Sequence, residues 1–113
     1  MTTVKFFNNG EGFYCGVGFY DHARSEGNPD CGTGSRLCAV MSALSSYAEV
    51  LAETAAVDYS LNVTKASPSR VITWGVCYAM QTPIAALFCT VRTLAAQYPE
   101  FVKIEEETID GDY

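Results

Sequence analysis

FYCGVGFY at residues 13–20 and SRLCAVMSALSSYAEVLAETA at residues 35–55 are the two runs that decide the fold of this chain. The first run places an apolar side chain at every second position, which is the period of a β-strand. The second run repeats apolar residues at steps of three and four, which is the period of an amphipathic helix. The chain therefore changes from strand to helix across the segment between them, which is rich in glycine and polar residues.

The same two periods predict the remaining strands. A first strand is expected at residues 4–7, ahead of a turn at residues 8–12 whose asparagines and glycines tolerate positive φ. Residues 57–63 alternate cleanly, and a turn at residues 66–69 leads into the next strand. The inward side chains of these two strands are expected to be Val57, Tyr59, Leu61, Val63, Ile72, Trp74, Val76 and Tyr78.

The helix at residues 35–55 is expected to bury a wide apolar stripe. Ser45, Glu49 and Glu53 fall on its outer face in this interpretation. The stripe consists of Leu37, Val40, Met41, Leu44, Tyr47, Ala48, Leu51 and Ala55.

A second helix is expected from Thr82, as the cap, and Pro83, as the first helical residue, to about Tyr98. Pro99 would end this helix, and residues 101–105 would form a fifth strand. The order ββαββαβ, with mostly hairpin-connected strands, predicts an α+β two-layer sandwich with a mixed or antiparallel sheet and two helices.

Length and composition predict one domain over residues 1–113. The chain is 49% apolar and carries a formal net charge of −6, with five acidic residues among the last nine. An acidic surface attracts basic partners and repels nucleic acid, so no direct nucleic-acid partner is expected. No apolar run approaches the roughly 20 residues of a membrane helix. Because the chain enters a strand at once, without a signal-peptide pattern, we expect it to reside in the cytoplasm and not at a membrane.

The five cysteines form neither a disulfide framework nor a metal site by spacing, since their number is odd and no CxxC pair occurs. Cys15, Cys77 and Cys89 lie within apolar segments, so we expect them to be packing residues. Cys31 and Cys38 are the two thiols expected to be reached by solvent. No metal and no other cofactor is expected.

His22 and Cys38 are the candidate catalytic pair, with fifteen residues between them. His22 is the only histidine and ends the alternating run, whereas Cys38 lies near the start of the helical run. A strand and a helix joined by a loop can bring an imidazole and a thiol together, as a nucleophile and its base require. With the helix starting at Ser35, that serine would be the N-cap, and Cys38 would lie where backbone N–H groups favour a thiolate.

Two motifs make the chain similar to the ribosomal-processing cysteine protease (Prp) family. The first runs from His22-Ala23 through a glycine-containing loop to Cys38-Ala39, followed by Ser42-Ala43-Leu44. The second is the closing helix, Tyr-Pro turn and last strand at residues 96–106. The chain departs from the family pattern in having Asp21 where the family usually has glycine and Ser35 where it usually has aspartate. The loop is also longer and carries Cys31.

The resemblance implies a cysteine endopeptidase with Cys38 as nucleophile and His22 as general base and acid. Its substrate would be the N-terminal extension of a large-subunit ribosomal protein, the twenty-seventh, cut after a pair of phenylalanines. Ser35 and Ser42 are possible supporting residues, although Ser42 could equally bond a carbonyl one turn back. The resemblance also implies a homodimer. Seven tyrosines and six phenylalanines are many for one small core to hide, which favours the same conclusion.

Two alternatives stay open from the residues alone. The chain could be a non-catalytic dimeric module of the same fold that binds a peptide or protein, or a redox sensor that uses Cys31 and Cys38. Residues 24–34 are expected to form a mobile loop, which is either a flap that orders over a bound peptide or an ordinary surface loop. Gly16 and Gly18 leave one strand face bare, which suits either close packing or a peptide-docking groove.

Overall fold

In the part of the chain that the structure describes, five strands and two helices follow one another in the order ββαββαβ, as the sequence predicts. The computed structural model describes residues 2–20, 33–55, 58–64, 69–75 and 77–109. None of the helices in these ranges is long and apolar enough to cross a membrane. The elements are β1 (Thr2–Asn8), β2 (Tyr14–Tyr20), α1 (Thr33–Ala55), β3 (Tyr59–Thr64), β4 (Ser69–Trp74), α2 (Tyr78–Gln97) and β5 (Val102–Thr108).

The strands form one mixed sheet in the order β3-β4-β2-β1-β5. Strand β2 is antiparallel to β1 and β4, and β3 is antiparallel to β4. Only the pairing of β1 with β5 is parallel within this sheet. Helix α1 packs on β4, β2 and β3, and α2 packs on β5 and β2. The expected α+β two-layer sandwich is therefore confirmed.

The core lies between the sheet and the helices. Val4 is paired with Phe19 and Phe6 with Val17, and all four side chains are buried. The ring of Phe6 meets that of Phe88 from α2 edge to face, with centroids 5.1 Å apart. Such an aromatic pair contributes about 0.5–1.5 kcal/mol beyond its buried area.

Helix α1 buries a narrower stripe than the sequence predicts. Ser45 was expected on the outer face but is 4% exposed, whereas Val40 and Tyr47 are exposed. The expectation was wrong because the sheet contacts only one side of the helix. The side chains of α1 in the core are Leu37, Met41, Ala48 and Ala52.

Helix α2 begins at Tyr78, four residues before the expected cap at Thr82, and Pro83 lies inside it. Tyr78 is therefore not the end of a strand, which stops at Trp74, and its side chain is exposed. The prediction of a helix start at Thr82-Pro83 was wrong because a tertiary contact stabilises an earlier turn. The Gln81 side chain accepts a hydrogen bond from the Tyr14 N–H and donates one to the Tyr14 carbonyl, at 2.8 and 3.1 Å.

The alternating face of β3 is not buried, contrary to expectation. Tyr59, Leu61 and Val63 are all exposed, and Val57 lies outside the described residues, as does Val76 in the next expected strand. The reason is position, since β3 is an edge of the sheet and α1 lies mainly over β4.

The glycines of β2 lie on the sheet face opposite the helices, where neighbouring side chains cover them. A Cβ at Gly16 would stand 3.1 Å from the ring of Phe7, and one at Gly18 would stand 2.6 Å from the ring of Tyr20. Lys5 lies 5.6 Å from the centre of that tyrosine ring. Within this chain the two glycines therefore allow close packing of side chains over β2.

Candidate functional site

Cys38 is the sixth residue of α1, because the helix begins at Thr33 and not at Ser35. Ser35 is thus inside the first turn, so its expected role as N-cap was wrong. The unpaired N–H groups of a helix are its first four, and the field of the helix dipole fades beyond the first turn. The dipole of α1 therefore acts on Cys38 more weakly than a helix start at Ser35 would predict.

The side of α1 that carries Cys38 can be read from its neighbours. Cys38 is half-buried at the margin of the stripe that faces the sheet. Glu49 comes eleven residues later, about three turns, and so lies on nearly the same side. The Glu49 carboxylate is 3.2 Å from the guanidinium of Arg70 in β4. Cys38 therefore lies on the margin of α1 that faces β4 and the edge strand β3.

Ser42 lies one turn after Cys38 and is exposed on the same margin. Its proximity to the thiol is what the helical spacing predicts. The Ser35 side chain lies outside what the structure describes.

The end of the sheet near Cys38 is the end at which β2 stops. The last turn of α1 is at the opposite end, since the Tyr59 hydroxyl at the start of β3 is hydrogen-bonded to Glu53. Tyr20, which ends β2, is paired with Ser69 at the start of β4 and lies at the same end as the first half of α1.

His22 follows Tyr20 by two residues and lies outside the described residues, as do Asp21 and Cys31. Two residues of chain span at most about 7 Å. Strand β2 therefore ends, two residues before His22 in the sequence, at the end of the sheet where Cys38 lies. The Cys38–His22 pair itself stays a prediction. Of the loop expected at residues 24–34, residues 33 and 34 belong to α1, and the remainder lies outside the described residues.

The other described cysteines differ in exposure. Cys15 is 1% exposed, and burial raises the pKa of its thiol, so it is an inert packing residue as expected. Cys77 packs against the core, and its thiol is 3.5 Å from the carbonyl of Ala55. Cys89 was expected to be a packing residue, which is wrong, because it is exposed on α2 beside the Arg92 guanidinium at 3.9 Å. The apolar neighbours of Cys89 in sequence hid this exposure.

No cluster of three or more histidine, cysteine, aspartate or glutamate side chains that could hold a metal occurs in the described ranges. A shallow apolar groove lies between the two helices, lined by Leu44, Tyr47, Pro83, Ala86, Leu87 and Thr90. Leu44 and Tyr47 lie on the margin of α1 away from the one that carries Cys38. The groove is therefore separate from the candidate site.

The fold has close counterparts among solved structures, although no family model and no curated protein matches the amino-acid sequence. The crystal structure of SMU.848 from Streptococcus mutans has a TM-score of 0.77 and 23% identity, with 96% of each chain covered. The ribosomal processing protease Prp from S. aureus, with a covalently linked product peptide, has a TM-score of 0.74 and 17% identity. The same protease with a substrate peptide has a TM-score of 0.68 and 16% identity. Both Prp comparisons cover 95% of this chain and 100% of the other.

These comparisons establish that the chain has the fold of the Prp protease over nearly its whole length. The counterpart from S. aureus binds peptides in that fold.

Proposed function

We propose that the chain is a cysteine endopeptidase in which Cys38 is the nucleophile and His22 the general base and acid. The observation that carries the proposal is the placement of Cys38. It lies on the margin of α1 at the end of the sheet where β2 stops, and His22 follows the last residue of β2 by two positions in the sequence. The shared fold with a peptide-bound ribosomal processing protease supports the same reaction class.

The reaction would proceed through an acyl-enzyme. The imidazole of His22 takes the proton of the Cys38 thiol, and the sulfur attacks the scissile carbonyl. The tetrahedral intermediate collapses as the imidazolium returns its proton to the leaving amine. A water, deprotonated by the same imidazole, then attacks the thioester and regenerates the thiol.

Activation of the thiol falls mainly on the imidazole. Cys38 lies beyond the first helical turn, so the helix dipole has little part in stabilising the thiolate. Ser42, exposed one turn away, is proposed as a supporting hydroxyl beside the reacting sulfur. Ser35 remains a candidate only through its position in the first turn.

The proposed substrate is the N-terminal extension of the twenty-seventh large-subunit ribosomal protein, cut after two phenylalanines in the cytoplasm. The resemblance in sequence supports this substrate, and the named activity of the S. aureus counterpart is consistent with it. A formal charge of −6 favours the approach of a basic ribosomal protein. The same resemblance supports a homodimer.

The test is cleavage of a synthetic peptide containing Leu-Gln-Phe-Phe-Ala by the purified protein. Cleavage after the second phenylalanine is expected, with complete loss in Cys38→Ala and nearly complete loss in His22→Ala, because nucleophile and base act as a unit. Cys89→Ala is the matched control, since it removes another helical thiol that solvent reaches. The control should retain the parent rate within a few-fold.

Two results would contradict the proposal. A parent protein that binds the peptide without cutting it would be a binding module. Full activity in Cys38→Ala would show that Cys38 is not the nucleophile. Circular dichroism of each variant separates loss of chemistry from loss of fold.

A further inference from the structure

An ion pair joins helix α1 to the sheet on the margin that carries Cys38. The Glu49 carboxylate and the Arg70 guanidinium of β4 are 3.2 Å apart, and both side chains are partly buried. The other ion pairs among the described residues join β1 to β5 or lie within β5. The Glu49–Arg70 pair is therefore the one in this part of the chain that ties a helix to a strand.

A second carboxylate of the same margin contacts the sheet one turn later. Glu53 follows Glu49 by four residues, and its side chain is hydrogen-bonded to the Tyr59 hydroxyl of β3. Residues four apart lie on the same side of a helix. Two successive turns of α1 are thus attached to two adjacent strands, and both attachments lie on the Cys38 margin.

The buried packing beneath these turns of α1 consists of small side chains. Ser45, Ala48 and Ala52 are buried there, whereas the long buried side chains, Leu37 and Met41, lie in the first half of the helix. A small side chain makes fewer dispersion contacts than a long one and interlocks less with the opposite surface. Packing therefore restricts the rotation of α1 about its axis only weakly at these turns, and the polar contacts add the missing restriction.

Rotation of α1 determines where the helix presents Cys38. The Cα atoms of an α-helix lie about 2.3 Å from its axis, so a rotation of about 25° moves each of them by about 1 Å. A displacement of about 1 Å at a reacting group can cost about 10²-fold in rate. Cys38 is half-buried at the edge of the face that meets the sheet, so the same rotation also changes the exposure of its thiol.

We propose that Glu49 and Arg70 are positioning residues for Cys38. Their ion pair fixes the rotation of α1 on the sheet and so holds the thiol half-buried at the end of the sheet where β2 stops. Glu49 lies eleven residues after Cys38, about 16 Å along the helix axis, so it acts through the helix and not on the reacting atoms. The effect on the reaction rests on the proposed role of Cys38 as nucleophile, whereas the effect on exposure does not.

The first test measures the exposure of the Cys38 thiol and requires no peptidase activity. At alkaline pH a thiol is ionised without help from a base, so its rate of alkylation by iodoacetamide reports access of the reagent. Glu49→Gln and Arg70→Gln should each speed alkylation of Cys38 several-fold, because α1 is then free to turn the thiol outward. Mass spectrometry follows Cys89 of α2 in the same molecule, and its rate should stay that of the parent.

Exchange of the two charges separates the ion pair from either side chain alone. Glu49→Arg places two cations together and Arg70→Glu two anions, so each should speed alkylation of Cys38 at least as much as the glutamine variants. The double variant restores opposite charges and should return the rate to within about twofold of the parent. Lys103→Gln is the matched control, because it breaks the 3.0 Å ion pair with Glu105 in β5 and should leave Cys38 unchanged.

The second test is cleavage of the peptide named for the proposed function. Glu49→Gln should lower kcat about tenfold with KM within about twofold, and the double exchange should restore kcat. Circular dichroism should show the same folded content in every variant. Unchanged alkylation of Cys38 in both glutamine variants, an equal effect of Lys103→Gln, or no recovery in the double exchange would overturn the proposal. Faster alkylation with an unchanged kcat would also overturn it.

The two proposals fail in different ways. A parent protein that does not cleave the peptide would contradict the proposed function, and the alkylation rates would then decide the role of the ion pair on their own. A parent that cleaves the peptide, with Cys38 alkylated equally fast in all variants, would contradict the positioning role alone.

Discussion

At the scale of single residues, Gln81 provides hydrogen bonds to β2 at Tyr14, where β4 no longer pairs with the strand. The pairing of β2 with β4 stops at Gly16, and its pairing with β1 shifts register at Asn8, opposite Tyr14. The Gln81 amide bonds both backbone groups of Tyr14, and the indole N–H of Trp74 donates a third bond to the same carbonyl at 3.0 Å. One side chain thereby joins the start of α2 to the start of β2.

Gln81→Ala is expected to destabilise the protein by about 1–3 kcal/mol, because it leaves the partly buried Tyr14 N–H without its partner and removes one of the two side-chain hydrogen bonds to the Tyr14 carbonyl. Gln97→Ala is the control, since Gln97 is exposed at the end of the same helix, and its effect should stay within about 0.5 kcal/mol. Urea denaturation followed by circular dichroism measures both. Equal stability of the two variants would show that the Gln81 contacts are not important for folding.

Residue patterns predicted chemistry less well than they predicted structure. The polar turn before β2 could be recognised directly, and Asn8 and Asn9 do accept hydrogen bonds from the turn N–H groups at 3.0 and 2.9 Å. The exposure of Cys89 could not, because the apolar residues Leu87, Phe88 and Val91 stand close to it in the sequence. Burial of one thiol depends on which helix face meets the sheet, and sequence spacing alone does not specify that face.

At the scale of elements, periodicity identified every strand and both helices, and tertiary contacts decided where they begin. Thr82-Pro83 has the pattern of a helix start, but Gln81 holds an earlier turn in place. Helix α1 has apolar residues over more than half its circumference, so its pattern could not show which of them face the sheet. Ser45 is the clearest consequence, a hydroxyl buried on a face that pattern assigned to solvent.

Ser45→Ala is expected to stabilise the protein by about 1 kcal/mol, because alanine is the better helix former and removes a buried hydroxyl. The neighbouring exposed residue provides the control, since Ser46→Ala changes helix propensity alone. The difference between the two variants in urea denaturation therefore isolates the effect of burial. A Ser45→Ala variant less stable than Ser46→Ala would indicate that the hydroxyl makes a bond the core requires.

At the scale of the whole molecule, the fold could be predicted because strand and helix periods alternate clearly along the chain. The exposure of the apolar side chains of β3 could not be predicted, because alternation shows which residues share a face of the sheet but not whether a helix covers that face. The position of Cys38 in α1 was misjudged by the two residues that separate Thr33 from Ser35. In the proposed mechanism, activation of the thiol would therefore rest on the imidazole of His22 more than on the helix start.

The net charge of −6 predicts that KM depends on salt for a substrate with a basic stretch but not for one that carries the cleavage sequence alone. Raising ionic strength from about 0.01 M to 0.15 M shortens the Debye length from about 30 Å to 8 Å and weakens attraction of a basic partner. KM for a peptide that includes a basic stretch should therefore rise several-fold. KM for an uncharged peptide with the same Phe-Phe sequence should not. Equal salt dependence of both peptides would refute an electrostatic contribution.

The most direct test of Cys38 as the nucleophile is mass spectrometry after reaction with a Leu-Gln-Phe-Phe chloromethyl ketone. One adduct is expected, located on Cys38, and excess substrate peptide should prevent its formation while His22→Ala should slow it greatly. Cys89 is the internal control, since it is exposed to the same reagent without a base assigned to it. Modification of Cys89 as fast as Cys38, or of Cys38 at an unchanged rate in His22→Ala, would contradict the assignment of Cys38 as a nucleophile activated by His22.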